Sequence, residues 1–186
     1  MIIREKKQNH KFSLVQFMWI LGALSLLVGS VISLYTPNDK LLGIYFILGF
    51  LMLIAGVINI FVYIQDKNPL DGAHWIIADG LSTTFLALFP LLNQVVSVQI
   101  IPFFFGVWEL FSGIIKIVEC IELQDYNLKG WKIFLAIGSV ELFSGISSMI
   151  KPVDDLMGIH IVVSIIFLFQ SLGFVFKIMV FGHISK

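Results

Sequence analysis

Two glutamates stand in otherwise apolar stretches, and each opens the same hexapeptide, Glu-Leu-Phe-Ser-Gly-Ile, at 109–114 and again at 141–146. A carboxyl in such a setting can take up and release a proton. Placing an acidic residue near the middle of a membrane helix costs about 2.5 to 3.5 kcal/mol, so each needs a reason to be there. Gly106, Glu109, Gly113 and Lys116 follow steps of three, four and three, and Gly138, Glu141 and Gly145 follow three and four. Both carboxyls therefore share a helix face with small residues, the face that packs against neighbours. Lys116 is seven positions from Glu109, about 10 Å along a helix axis, and its stem is expected to carry the ammonium to the membrane edge. With no cation at their depth, desolvation favours the neutral carboxyl, and one or both glutamates are expected to be protonated or to share a proton. The functional reading is a proton-responsive site. The structural reading is a neutral glutamate bonded to a backbone carbonyl across a helix interface.

Asp79, with Ser82 and Thr83 one turn on, could extend a polar path, although a residue near a span entrance is ordinarily hydrated or caps the first turn. His160 could titrate near neutral pH, and an interfacial histidine with no such role is its simpler reading. Gln170 and Asn59 read as interhelical hydrogen-bonding groups. Glu119, Glu122 and Asp125 read as a solvated face between two spans, and Cys120 as a bystander.

The elements that position these groups follow from composition. Of the 186 residues, 58% are hydrophobic and only 13% charged, against roughly 25% charged in soluble domains. The 12 basic and 12 acidic residues cancel, so there is no basic face for nucleic acid. One cysteine excludes a disulfide framework or a thiolate metal cage. An all-α integral membrane protein remains, with the bilayer as its first partner. A span needs about 20 apolar residues, and six such runs fit: Leu14 to Tyr35, Leu42 to Ile64, His74 to Leu92, Ser97 to Val118, Trp131 to Ile150 and Met157 to Val180. The first is read as a retained span rather than a cleaved leader. Turn signals join them at Thr36-Pro37-Asn38-Asp39, Asp66-Lys67-Asn68-Pro69 and Lys151-Pro152.

Basic residues orient the spans. With the N-terminus inside, Arg4, Lys6, Lys7, Lys11, Lys67, Lys116, Lys129, Lys132, Lys177 and Lys186 fall on the cytoplasmic side, and only Lys40 and Lys151 fall outside. Both termini are then cytoplasmic, in a multi-pass membrane protein.

The spans repeat. Trp19, Trp75 and Trp131 are 56 residues apart and read as an interfacial belt. Small residues separated by seven recur as Gly49 with Gly56, Gly106 with Gly113, and Ser164 with Ser171. An offset of 115 maps Pro37 onto Pro152, Gly43 onto Gly158, Gly49 onto Ser164 and Gly56 onto Ser171. Odd-numbered spans show the same spacing in Gly22 with Gly29 and in Gly138 with Gly145. Seven residues make almost two turns, so each pair lies on one face and admits a neighbouring backbone. In the middle unit, Ser82 or Thr83 stands where the repeat calls for glycine. These residues predict one membrane domain, 1–186, a six-helix bundle built from three tandem hairpins at about 14–64, 74–118 and 131–180.

Tandem hairpins with a Trp at the hairpin start, glycine faces spaced by seven and a Pro just after the odd helix resemble the HdeD-like acid-resistance membrane proteins, from Phe17 to about Phe176. The resemblance implies a six-span inner-membrane protein serving survival under acid stress, and brings no mechanism to particular residues.

No paired-histidine spacing, phosphate loop or Ser or Cys beside a suitable His is present, so neither catalysis, a metal nor a cofactor is expected. Pro102 falls in the first turns of span four, where its missing donor is tolerated or produces a mild kink. Three functional classes stay open. The first is a non-enzymatic acid-stress protein in which Glu109 and Glu141 couple external pH to helix packing. The second is a small proton or solute channel or transporter along Asp79, Glu109 and Glu141. The third is a structural subunit whose glycine faces bind a second copy or a membrane partner.

Overall fold

In hydrocarbon, a backbone must satisfy its own hydrogen bonds, which an apolar helix does within one segment. A computed structural model describes residues 14–65, 74–92, 97–98, 100–125, 130–150 and 158–181. It contains six helices: α1 Leu14–Tyr35, α2 Leu41–Gln65, α3 His74–Leu92, α4 Ile100–Asp125, α5 Trp131–Ile150 and α6 Ile159–Phe181. All six are long and apolar enough to cross a membrane. The chain is thus an all-α, multi-pass membrane protein. A single 3-10 turn, Asn38–Lys40, joins α1 to α2. Gly130 precedes α5 with φ at 115°, a left-handed conformation that favours glycine. The expected turns at 66–69 and 151–152 lie outside the described residues.

Helix four differs most from expectation. It starts at Ile100 rather than Ser97 and runs on to Asp125 rather than stopping near Val118. Pro102 is its third residue, where no intrahelical donor is lost.

The hairpins are sequence units, but the tightest packing lies between them. α2 packs most closely on α3, α4 on α5 and α6 on α1; the partners within each hairpin touch less, and the six close into a ring. Tyr45 of α2 meets Phe105 of α4 at a centroid distance of 5.8 Å, and Phe105 meets Phe167 of α6 at 5.2 Å. Contact between α4 and α6 adds to these ring pairs, so the even-numbered helices surround the axis and the odd-numbered ones lie outside them.

Small residues set each tight interface. A Cβ on Gly113 would lie 2.8 Å from the backbone nitrogen of Leu142 and 2.9 Å from the carbonyl oxygen of Gly138. Gly106 and Gly145 approach each other in the same way, as do Gly56 and Gly80. Gly49 lies against Pro90 and the carbonyl of Ala87. In the third interface, Ser171 donates to the carbonyl of Ala23 and Ser164 bonds Ser30, while Phe174 and Phe167 fill the space over Gly22 and Gly29. Gly22, Gly80 and Gly138 are thus equivalent, each 58 residues after the last, as are Gly29, Ala87 and Gly145. The glycine missing from the middle unit is Gly80, not a position at Ser82 or Thr83. Three equivalent interfaces make the ring pseudo-threefold.

Candidate functional site: a buried polar network

Helix α4 brings Glu109, Ser112, Lys116 and Glu119 into the bundle at steps of three, four and three, all of them buried. Lys116 does not turn away to the membrane edge. Its Nζ donates to Oε2 of Glu141 at 2.8 Å, to Oγ of Ser112 at 2.6 Å and to Oε1 of Gln170 at 3.5 Å, which uses all three of its protons. Small neighbours make room for its stem: a Cβ on Gly173 of α6 would stand 2.8 Å from Cε of Lys116, and one on Gly138 of α5 would stand 3.2 Å from its Cβ. The expectation of glutamates without a cation is therefore overturned for Glu141. Distance along one helix says nothing of what a neighbouring helix presents.

Gln170 links the two glutamates. Its Oε1 accepts from Ser112 at 3.0 Å, and its Nε2 donates to Oε2 of Glu109 at 3.0 Å. The chain from Glu109 through Gln170 and Lys116 to Glu141 thus spans α4, α5 and α6, with an amide and an ammonium between the two carboxyls. Oε1 of Glu109 and Oε1 of Glu141 have no hydrogen-bond partner.

A second cluster lies nearer the end where α1 starts and α6 stops. Lys177 of α6 donates to Oδ2 of Asp79 at 2.7 Å, and Asn59 of α2 donates to the same oxygen at 2.9 Å. The ammonium also lies 5.4 Å from the ring centre of Trp75 and 5.3 Å from that of Phe174. Asp79 is accordingly a buried ion-pair partner, not a hydrated entrance residue or a helix cap. With Lys116 and Lys177 inside the bundle, eight of the ten basic residues assigned to the cytoplasmic side are left to orient it. Asn59 and Gln170 are the interhelical hydrogen-bonding groups the sequence pointed to.

Two further expectations change. Glu119 is on no solvated face, because α4 continues through it and buries it, and neither of its oxygens has a hydrogen-bond partner. Glu119, Glu122 and Asp125 recur every third residue, a helical signal that could have extended α4. Trp19 and Trp75 are buried in the core rather than set in an interfacial belt. His160 sits at the opposite end of the bundle from Asp79, and its Nδ1 is 2.8 Å from Oδ1 of Asn38, so it does not join the carboxyls. Cys120 is a buried free thiol.

Four carboxyls, Asp79, Glu109, Glu119 and Glu141, thus share the interior with two ammonium groups. Toward the far end, Tyr45, Phe105, Trp108 and Phe167 close the axis with edge-to-face rings, and Trp108 Nε1 donates to Thr83 at 3.1 Å. Among the described residues, no group of three or more His, Cys, Asp or Glu side chains could hold a metal ion.

A family model described as a short repeat of unknown function (DUF308) matches residues 20–92 and again 78–150, together more than two thirds of the chain. The chain belongs to this repeat family. Each DUF308 match takes in parts of three helices, the first from α1 to α3 and the second from α3 to α5. Its stride of 58 residues is the one that relates Gly22, Gly80 and Gly138. No curated protein and no solved structure matches the chain.

Proposed function

We propose that this DUF308 protein is a non-enzymatic plasma-membrane protein of the acid-stress response, in which Glu109 and Glu141 take up protons and thereby alter the packing of α4 on α5. The buried path from Glu109 through Gln170 and Lys116 to Glu141 carries this reading. Protonation of Glu141 would leave the Lys116 ammonium without its counter-charge in a dry interior, a state that the glycine-tight α4 and α5 interface must adjust to relieve. The resemblance to HdeD-like proteins supports the physiological part, since HdeD proteins belong to DUF308. The basic residues left at the span ends support termini in the cytoplasm.

The absence of catalysis is part of the proposal. Ser112 and Lys116 are 2.6 Å apart, as a nucleophile and its base would be, but Lys116 is engaged as a donor to Glu141 and Ser112 as a donor to Gln170. Neither is free to act on a substrate.

The test is survival of acid-challenged cells that depend on this protein, with membrane levels measured alongside. Glu109→Gln keeps the shape and removes a titrating group that has no ammonium bonded to it, and its survival is expected to fall to the level of cells lacking the protein. Full survival with normal protein levels would overturn the reading. A second reading, proton conduction, draws on the polar column that reaches from Glu109 toward Asp79. Proteoliposomes with an internal pH dye, under an imposed acid gradient, separate it from the first: flux abolished by Glu109→Gln would favour conduction.

A further inference from the structure

Glu119 is an interior carboxyl that the proposed response leaves unused. It is fully buried, and neither oxygen has a hydrogen-bond partner. The charged groups facing it are Lys177 of α6, Lys116 on its own helix, Asp79 of α3 and Glu141 of α5. It therefore stands between the two ion pairs without belonging to either. A buried carboxylate left with no donor is costly, whereas a bound proton removes its charge.

Access is one-sided. Glu119 lies six residues before the end of α4, at Asp125, about 9 Å along the axis. A groove of about 240 Å³ opens there, lined by His74, Trp75, Ala78, Ile115, Val118 and Glu122. Trp75 stands four residues before Asp79, and Ile115 and Glu122 stand four before and three after Glu119, so the groove runs along the helix faces that carry both carboxyls. Glu122 is three residues beyond Glu119 and accepts a hydrogen bond from Trp75 at the mouth. On the opposite side of Glu109, the path is closed by the rings of Tyr45, Phe105, Trp108 and Phe167 and by Ile101, Leu48 and Ile166, all buried.

We propose that Glu119 is a proton-binding site loaded through the α3 and α4 groove from the end of the bundle where α1 starts and α6 stops, so that the network responds to pH on that face and not on the other. This deepens the proton-responsive reading and rests on it for its physiological meaning only. It reverses the expectation of coupling to external pH if the termini are cytoplasmic.

The test uses the natural protein in membrane vesicles of known orientation, treated with dicyclohexylcarbodiimide, an apolar reagent that couples to protonated carboxyls, with labelling of Glu119 read by peptide mass spectrometry. Proton occupancy of a carboxyl can change by about tenfold per pH unit above its midpoint, so labelling is expected to rise several-fold on acidifying the termini face and to ignore the opposite face. Labelling that follows the opposite face, or is the same at every pH, would overturn the proposal. Suppression of the label by sodium ions at constant pH would overturn it as well, in favour of a metal-cation site. Ala78→Phe, which fills the groove, is expected to slow labelling of Glu119 several-fold, and an unchanged rate would place the entry elsewhere and overturn the route. Failure of the acid-survival experiment with these labelling results intact would discard the physiological role alone.

Discussion

Lys116 of α4 meets Glu141 of α5 at 2.8 Å with both side chains buried. Breaking such a pair from one side strands a charge and costs about 3 to 5 kcal/mol, whereas removing both charges together costs far less. Lys116→Met is expected to destabilise the protein in detergent by that amount, and Lys116→Met with Glu141→Gln to recover most of it. Denaturant titration of both variants checks this, and equal losses would mean that the pair is not coupled. The same geometry explains why Glu141→Gln alone is a poor probe of proton uptake: it also strands Lys116.

Glycine substitutions should divide by what lies over them. At Gly113, a Cβ would meet backbone atoms of α5 at 2.8 and 2.9 Å, so the helices themselves must part. Gly113→Ala is expected to cost about 1 to 3 kcal/mol, as overpacked cores do. Gly43 in α2 has nothing within 4 Å of that position. There, alanine relieves a helix of its most entropic residue and should stabilise by about 0.5 to 1 kcal/mol. Thermal melts of the two variants against the natural protein test the ordering, and a Gly113→Ala protein as stable as the natural one would count against backbone contact at that interface.

The six helices were legible because lipid permits only long apolar segments with self-satisfied backbones, and Glu109 and Glu141 stood out by their shared hexapeptide. What sequence spacing could not convey was which helix lies beside which. Lys116 and Glu141 are 25 residues apart and meet across the α4 and α5 interface, and Asp79 and Lys177 are 98 apart and meet across the ring, from α3 to α6. The threefold relation was half visible in the spaced glycines. It became regular once Gly80 was seen against Gly56, since the stride of 56 lies near the true period of 58 residues and the stride of 115 near twice that period. Glu119 was missed because an acidic run with lysines on either side looks like a solvated loop until the helix is known to continue through it.

Thr83 supplies the acceptor for the buried indole N–H of Trp108, at 3.1 Å. Thr83→Val keeps the volume and removes the oxygen, leaving a buried donor unsatisfied at a cost of about 1 to 3 kcal/mol. Adding Trp108→Phe removes the donor too, so the double variant should lose less than the sum of the two single losses. A double-mutant cycle on unfolding free energies measures this, and strict additivity would argue that the bond contributes nothing.

Asp79 has three supports of unequal strength, and their removal should follow that order. Lys177 neutralises it, Asn59 donates to the same oxygen, and Trp75 holds the ammonium over its ring. Lys177→Met strands the Asp79 carboxylate and is expected to cost about 3 to 5 kcal/mol. Asn59→Leu removes one hydrogen bond to a charged group, about 1.5 to 3 kcal/mol. Trp75→Leu gives up cation–π attraction of about 0.5 to 2 kcal/mol, plus the packing of the ring and its hydrogen bond to Glu122. Because all three changes touch one ammonium and one carboxylate, the losses should not add. Asn59→Leu in an Asp79→Asn, Lys177→Met background, where neither charge is left, should cost less than in the natural protein. An undiminished loss there would show that Asn59 serves the packing of α2 on α3 and not the charge on Asp79.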